Sequence, residues 1–326
     1  MSENRTKNAI RNITYGIILK LYQVLVPFFM RTAMIYFMGV QYLGLNSLFS
    51  SILQVLNMTE LGVGVAMVYS MYEPIAKNNK KKICALLNLY KTYYRVIGVI
   101  IAIIGISITP FIPKLINGSV PNNINIYILY ILNLSSTVLS YWLFAYKGSL
   151  LQAHQRSDIT SKVTLTTSTM QYTIQLFVLW KFKNYYLYVI VMLITQSLTN
   201  VFTAFVASKV YPEYSPSGSI TKNEKNKINH KIKDLFTSKL GGVILDSADT
   251  IVISAFLGLT TLAIYQNYFF IMSSIIAFIM VVFNSLTAGV GNSILLETKE
   301  KNYEDLLKLT FIICWIIGVC TCCFAV

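Results

Sequence analysis

The sequence predicts an all-α polytopic membrane protein. Composition is the first ground for this. The 326 residues are 55% hydrophobic and only 12% charged, about half the ~25% charged residues of a soluble domain, and mean hydropathy is +0.58. The second ground is patterning. Apolar residues gather into about nine runs of bilayer-spanning length, divided by short polar segments. They cover approximately 13–38, 45–72, 92–112, 124–146, 163–180, 186–208, 238–257, 264–288 and 309–326. The third is an internal repeat, which turns the count into a parallel-repeat transporter architecture: one complete six-helix bundle, then the first half of a second.

The first run, 13–38, is long enough to cross as a tilted helix, about 39 Å at 1.5 Å per residue. It carries Lys20 and Arg31. A charge inside hydrocarbon costs roughly 3 kcal/mol or more, so it is paired, faces a wet cavity or snorkels out. Eleven residues apart, the two lie within about 20° of one another on a helix. Pro27 lies near the same face and removes one backbone hydrogen bond. The pattern reads either as two snorkelling cations or as a basic column facing a cavity that accepts an anion.

The loops alternate in charge. With the N-terminus inside, Arg5, Lys7, Arg11, Lys77, Lys80, Lys81, Lys82, Lys147 and Arg156 fall on the cytoplasmic side. So do the lysines between 209 and 233, and Lys299 and Lys301. Only Lys114, Lys181 and Lys183 fall outside. Such asymmetry predicts a multi-pass protein of the cell membrane with a cytoplasmic N-terminus. The net charge of +14 is then a matter of topology and of anionic membrane lipids rather than nucleic acid. The basic start, MSENRTKNAIRN, precedes an apolar run too long for a signal-peptide core and lacks a small-residue cleavage site. It reads as an uncleaved first span.

The longest polar segment, 211–234, opens rich in Pro, Ser and Gly and turns Lys-rich. It predicts a linker followed by a short helix lying on the cytoplasmic surface. The expected organisation is an N-terminal lobe at 1–210, a cytoplasmic linker at 211–237 and the start of a C-terminal lobe at 238–326. The repeat supports two lobes: FMGVQYLGLN at 37–46 aligns without gaps with FLGLTTLAIY at 256–265, an offset of 219 residues. Six spans separate the copies, so both have one orientation, a parallel repeat about an axis along the membrane normal. The second lobe would then be incomplete at Val326, which predicts a truncated product or fragment, a naturally short form being the other reading.

Several chemistries are excluded or weak. His154 and His230 are the only histidines, and both fall in polar loops. Cys320 and Cys323 match C-x-x-C, but in an apolar helix without nearby His or Asp they read as buried thiols. With no acidic metal-binding pair and no large catalytic loop, the chain is not expected to be an enzyme. No metal site or cofactor is expected, and Na⁺ or H⁺ are the candidate coupling ions.

The run NAIRNITYGI, the stretch PFFMRTAMIYFMGVQYLGLNSLFSSILQVLNMTELGVG at 27–64 and the stretch GGVILDSADTIVISAFLGLTTLAIYQNYFFI at 241–271 resemble bacterial polysaccharide-biosynthesis flippases of the Wzx type. These belong to the multidrug/oligosaccharidyl-lipid/polysaccharide exporter superfamily. The resemblance covers the whole chain and is strongest over 8–95 and 239–292. It implies two bundles of six spans around a central cavity. It also implies transfer of undecaprenyl-pyrophosphate-linked oligosaccharide from the inner to the outer leaflet by alternating access, for capsule, exopolysaccharide or O-antigen synthesis. A polysaccharide polymerase and other assembly proteins are the partners it implies. The early end at Val326 departs from the pattern and puts activity in question.

Such a cargo needs cations for its phosphates and hydrogen-bonding groups for its sugars. Arg31 offers phosphate a bidentate fork, and Lys20 continues the same face. Gln23, Asn46, Gln54 and Asn57 are candidates for the sugar hydroxyls, each with a helix–helix hydrogen bond as the plain alternative. Glu60 reads as a coupling carboxylate or a structural ion pair. Lys239, Asp246 and Asp249 are gating candidates. In the repeat Arg31 aligns with Thr250, so Asp249 sits at nearly the same depth, and an Arg31–Asp249 bridge between lobes is expected, a partner elsewhere in the seventh or eighth run, such as Asn284, being the plain alternative. The competing class is a multidrug or small-cation exporter of the same superfamily, whose cavities favour acidic and aromatic groups.

Overall fold

The computed structural model describes residues 2–60, 62–117, 120–121, 124–296 and 298–325; side chains are described except at 2–10, 13, 59, 246, 278, 280–296, 299, 320 and 324–325. The order is α1 (Ser2–Phe37), α2 (Val40–Leu56), a 3-10 turn (Asn57–Glu60), α3 (Val63–Ala76) and α4 (Lys80–Ile108). A second 3-10 stretch (Thr109–Leu115) leads to α5 (Ile126–Trp142), α6 (Tyr146–Ala153), α7 (Ser157–Lys181), α8 (Tyr185–Val210), α9 (Lys222–Leu296) and α10 (Lys299–Ala325). No strand occurs among the described residues. Among the described residues, five helical stretches are long and apolar enough to cross a membrane, or six if α5 and α6, bent by 52°, form one broken span.

The chain forms two compact units, 1–267 and 268–326. In the first, Leu45, Leu48, Phe49, Met67, Ile83, Leu87, Ile101 and Tyr130 make a fully buried core. Large apolar side chains elsewhere in this unit, Phe29, Ile103, Trp180 and Phe205 among them, are exposed. That pattern suits a bundle whose outer surface meets lipid rather than water. In the second unit, α10 exposes Phe311, Ile312 and Trp315.

Asparagine starts several helices. Asn79, Asn125 and Asn184 are N-caps, accepting from the backbone N–H of Lys82, of Tyr127 and Ile128, and of Leu187, so each satisfies donors that a helix start leaves open. The start of α7 is capped from another helix: Asn12 of α1 accepts from the Asp158 N–H at 2.9 Å and donates to the Gln155 carbonyl at 2.9 Å. The Asp158 carboxylate is fully buried and holds Arg11 at 2.9 Å, Arg156 at 3.0 Å and Lys162 at 3.7 Å. Burial alone pushes its carboxyl up. The hydrogen bond from Arg156 and the charges of Arg156, Arg11 and Lys162 outweigh that and hold it below the usual carboxylate range.

A depressed folded pKa means a contribution that is present above the ordinary carboxylate range and is lost as pH falls through the lowered value. Asp158→Asn leaves three cations around a neutral amide. The expected loss is at the lower end of the ~3–5 kcal/mol for breaking a buried pair, since the cations are partly exposed. Thermal melting of the detergent-solubilised protein would read it. An unchanged midpoint at neutral pH, or an unchanged acid limb, would rule this account out.

The expected second span is interrupted. After the turn at 57–60, Gly62 adopts φ 88°, ψ −23° before α3 resumes. A side chain there would collide with Leu235 and the Ile232 carbonyl of α9, so glycine permits both the left-handed turn and the close approach.

The segment after α8 does not float. Ser217 N–H donates to the Cys84 carbonyl, Asn88 to the Gly218 carbonyl and Lys147 to the Tyr214 carbonyl, while His154 stacks on Tyr211 with centroids 4.3 Å apart. The expected surface helix is not a separate element. It begins with a capping box, Thr221 with Glu224, and runs on unbroken into the expected seventh span as α9. No proline interrupts 222–258, and a side chain at Gly241 or Gly242 would meet nothing within 4 Å. The first break in α9 is Gly258, with φ 85°, ψ 173°.

Gly258 belongs to a junction at the end of the bundle where α1 finishes. Asn117 donates its backbone N–H to the Ser254 carbonyl and its side-chain amide to the Phe256 carbonyl at 2.6 Å, and Ser254 donates to the Leu115 carbonyl. The carbonyls left open as α9 approaches its break are thus taken up by the loop after α4. Gly44 of α2 packs directly on the Leu259 carbonyl. Gly39, between α1 and α2, has φ 110°, ψ 160°, close to the conformation of Gly258, with which it aligns in sequence.

Candidate functional site

Arg31 is half-buried, well inside α1. It donates to the Gln266 carbonyl and to the Asn267 side-chain oxygen, each at 3.3 Å. Both acceptors are neutral. Gln266 in turn donates to Thr250 at 2.6 Å, the residue aligned with Arg31 in the repeat. Asp249 is exposed and accepts from Tyr265 at 3.0 Å. No ion pair joins Arg31 to Asp249 among the described residues, so the expected bridge is replaced by a link from Arg31 to amide and carbonyl oxygens of α9. Matched depth did not bring the two together because each has a nearer partner on α9. The Asp246 side chain lies outside the described residues.

The sugar-binding candidates divide. Gln23 and Gln54 are exposed. Asn46 accepts from Tyr185 at 3.4 Å, a helix–helix bond of the plain kind. Asn57 accepts from Tyr141 at 3.1 Å and borders a cavity. Lys20 is half-buried and belongs to no ion pair among the described residues.

Glu60 is the hub of an interior site. Tyr94 donates to it at 2.5 Å, and Tyr90 donates to Tyr94 at 2.6 Å. Two adjoining cavities of about 600 and 570 Å³ meet here and share Glu60, Tyr94, Ala145, Thr164, Thr199 and Asn200. Lys239 of α9 lines the larger one. Glu60 and Lys239 are thus brought to one cavity, from which Arg31, Lys20, Gln23, Asn46 and Gln54 are absent.

Most of the cavity wall was not singled out from the sequence. On α7 it is Ser157, Thr160, Ser161, Thr164, Ser168 and Gln171. Those intervals of three, one, three, four and three residues trace one helix face. On α8 it is Gln196, Thr199, Asn200 and Thr203, again one face. The two stripes are cross-linked by Thr199 with Thr167 at 2.7 Å and Thr195 with Gln171 at 2.9 Å. The signal was available in the polar period of the fifth apolar run, which the length-and-hydropathy reading passed over.

No protein-family model, no curated protein and no solved structure matches this chain.

Proposed function

We propose that the chain is a flippase for lipid-linked oligosaccharide, moving an undecaprenyl-pyrophosphate glycan across the cell membrane by alternating access. The observation that carries this reading is Arg31, a half-buried cation well inside an apolar helix, which donates to the Gln266 carbonyl and the Asn267 side-chain oxygen. The planar guanidinium offers an incoming phosphate a bidentate fork of N–H donors. Lys20 on the same face extends the path.

In this reading α2 with α3, and α7, also span, and α9 spans twice about Gly258, which gives about nine spans. The matching backbone at Gly39 and Gly258 favours the parallel repeat, with lobes at 1–210 and 238–326. The N-terminus faces the cytoplasm on the loop-charge argument. Na⁺ or H⁺ would couple transport, and anionic lipids and polysaccharide-assembly proteins would be the partners.

The second reading, a small-cation exporter, is favoured by one observation: Glu60 stands among Tyr90, Tyr94 and Tyr141, and a carboxylate with aromatic faces suits an organic cation. Reconstituted vesicles decide between them. The flippase exposes a lipid-linked oligosaccharide to an external glycosidase faster than empty vesicles do, and leaves efflux of a lipophilic cation unchanged. The reverse result would establish the exporter.

A further inference from the structure

Inside the first unit, the cavities at Glu60 have a wall of unusual chemistry for a membrane bundle. α7 and α8 place hydroxyl and amide groups on it almost without interruption. Polar groups within apolar helices are commonly consumed by helix–helix bonds, and some here are. Asn200 donates to the Ser140 carbonyl, Gln196 accepts from Ser136, and Tyr141 donates to Asn57. Each of those bonds leaves the other half of the amide, an oxygen on Asn200 and a nitrogen on Gln196 and Asn57, without a protein partner among the described residues. The second oxygen of Glu60 is in the same state.

The groups left over are therefore both donors and acceptors, and nearly all are neutral. Aromatic rings complete the wall: Tyr90, Tyr94 and Phe144 in the larger cavity, Tyr141 in the smaller.

This balance selects among ligands. A phosphate needs several cations, and Lys239 is the only one among the described residues of the wall. A bare metal ion needs a cage of acidic or imidazole groups, and among the described residues no group of three or more His, Cys, Asp or Glu comes together. A purely apolar ligand would strand the hydroxyls and amides. A ring bearing many hydroxyls satisfies all of them, offering donors and acceptors around its edge and a C–H face to the aromatics. Volumes of about 600 and 570 Å³ lie within the ~300–1,000 Å³ usual for small-molecule sites.

We propose that the α7–α8 cavity is a carbohydrate-binding site for a neutral sugar. Asn57, Glu60, Thr164, Gln196 and Asn200 are its hydrogen-bonding groups, and Tyr94 and Tyr141 its aromatic faces. The proposal deepens the flippase reading and rests on it for the source of the sugar: it gives the glycan a place separate from Arg31, where the pyrophosphate would bind.

The test uses the whole chain in lipid nanodiscs and free sugars, with no lipid carrier and no phosphate. Glucose, galactose and their N-acetylamino derivatives are presented one at a time. Saturation transfer from protein to sugar protons is read by NMR. At least one sugar is expected to receive transfer, and Thr164→Val, which removes one hydroxyl at constant shape, to reduce it severalfold. Ser161→Cys provides a variant that folds before it is blocked. Alkylation with a bulky maleimide after purification should abolish the transfer, while the same treatment of the unmutated chain, with its own cysteines, leaves it intact. Absence of transfer from every sugar, or transfer that survives the blocked cavity, overturns the proposal. Vesicle transport of lipid-linked oligosaccharide alongside that result would keep the flippase reading and remove only this site.

Discussion

Arg31→Ala is expected, on the flippase proposal, to bring export of lipid-linked glycan down roughly ten- to hundredfold, the worth of charge-assisted hydrogen bonds at ~1.5–3 kcal/mol. The protein should still insert, because alanine suits the helix and removes an expensive charge from the hydrocarbon. Arg31→Lys should recover export only in part, since an ammonium keeps the charge but not the planar fork. The Gln266 carbonyl and Asn267 amide that now hold the guanidinium also decide a related experiment. A direct Arg31–Asp249 bridge would let the charge swap, Arg31→Asp with Asp249→Arg, restore folded yield. With Arg31 bonded to neutral oxygens and Asp249 to Tyr265, the swap sets a carboxylate against a carbonyl and should not recover yield. Full export by Arg31→Ala removes Arg31 as the phosphate anchor, and recovery of yield by the swap reinstates the bridge.

The all-helical, membrane-spanning class was legible because length and hydropathy are properties of the chain itself. Two of the glycines were legible in the same way: Gly39 and Gly258 align in sequence, and both adopt positive φ, a conformation that L-residues with side chains avoid. Partnerships across the bundle were less legible. Arg31 and Asp249 were matched by charge and depth, yet hydrogen bonding follows which neighbour lies within reach. Gln266 and Asn267 are polar, uncharged and unremarkable in sequence. The cavity was missed for another reason. A hydropathy reading averages over a helix, and α7 averages its Ser/Thr stripe against Leu176, Phe177 and Trp180 on other faces. Glu60 was picked out because a lone carboxylate in an apolar run stands apart, whereas Thr164 and Asn200 matter only as members of a face.

The largest stability effect should come from the smallest change in that bundle. Gly44 is buried in α2, and a methyl group there would run into the backbone carbonyl of Leu259. Backbone cannot yield as the tip of a flexible side chain can, so α2 and α9 must move apart. Gly44→Val is therefore expected to cost at least the ~3 kcal/mol at the upper end of ordinary overpacking, and Gly44→Ala nearly as much. Gly258→Ala meets the same junction from the other side. It forces a side chain into φ 85° and against the Asn117 carbonyl at 2.7 Å. The two changes should not add, because once α9 has shifted for one of them the contact that penalises the other is already relaxed. Thermal melting in detergent of both single variants and the double variant reads this directly. The same displacement should loosen the packing around α2, so Asn46→Cys should react faster with a thiol reagent in a Gly44→Ala background than alone. A Gly44→Ala protein that melts with the parent, with additive single effects, would mean that α2 and α9 do not meet at this carbonyl.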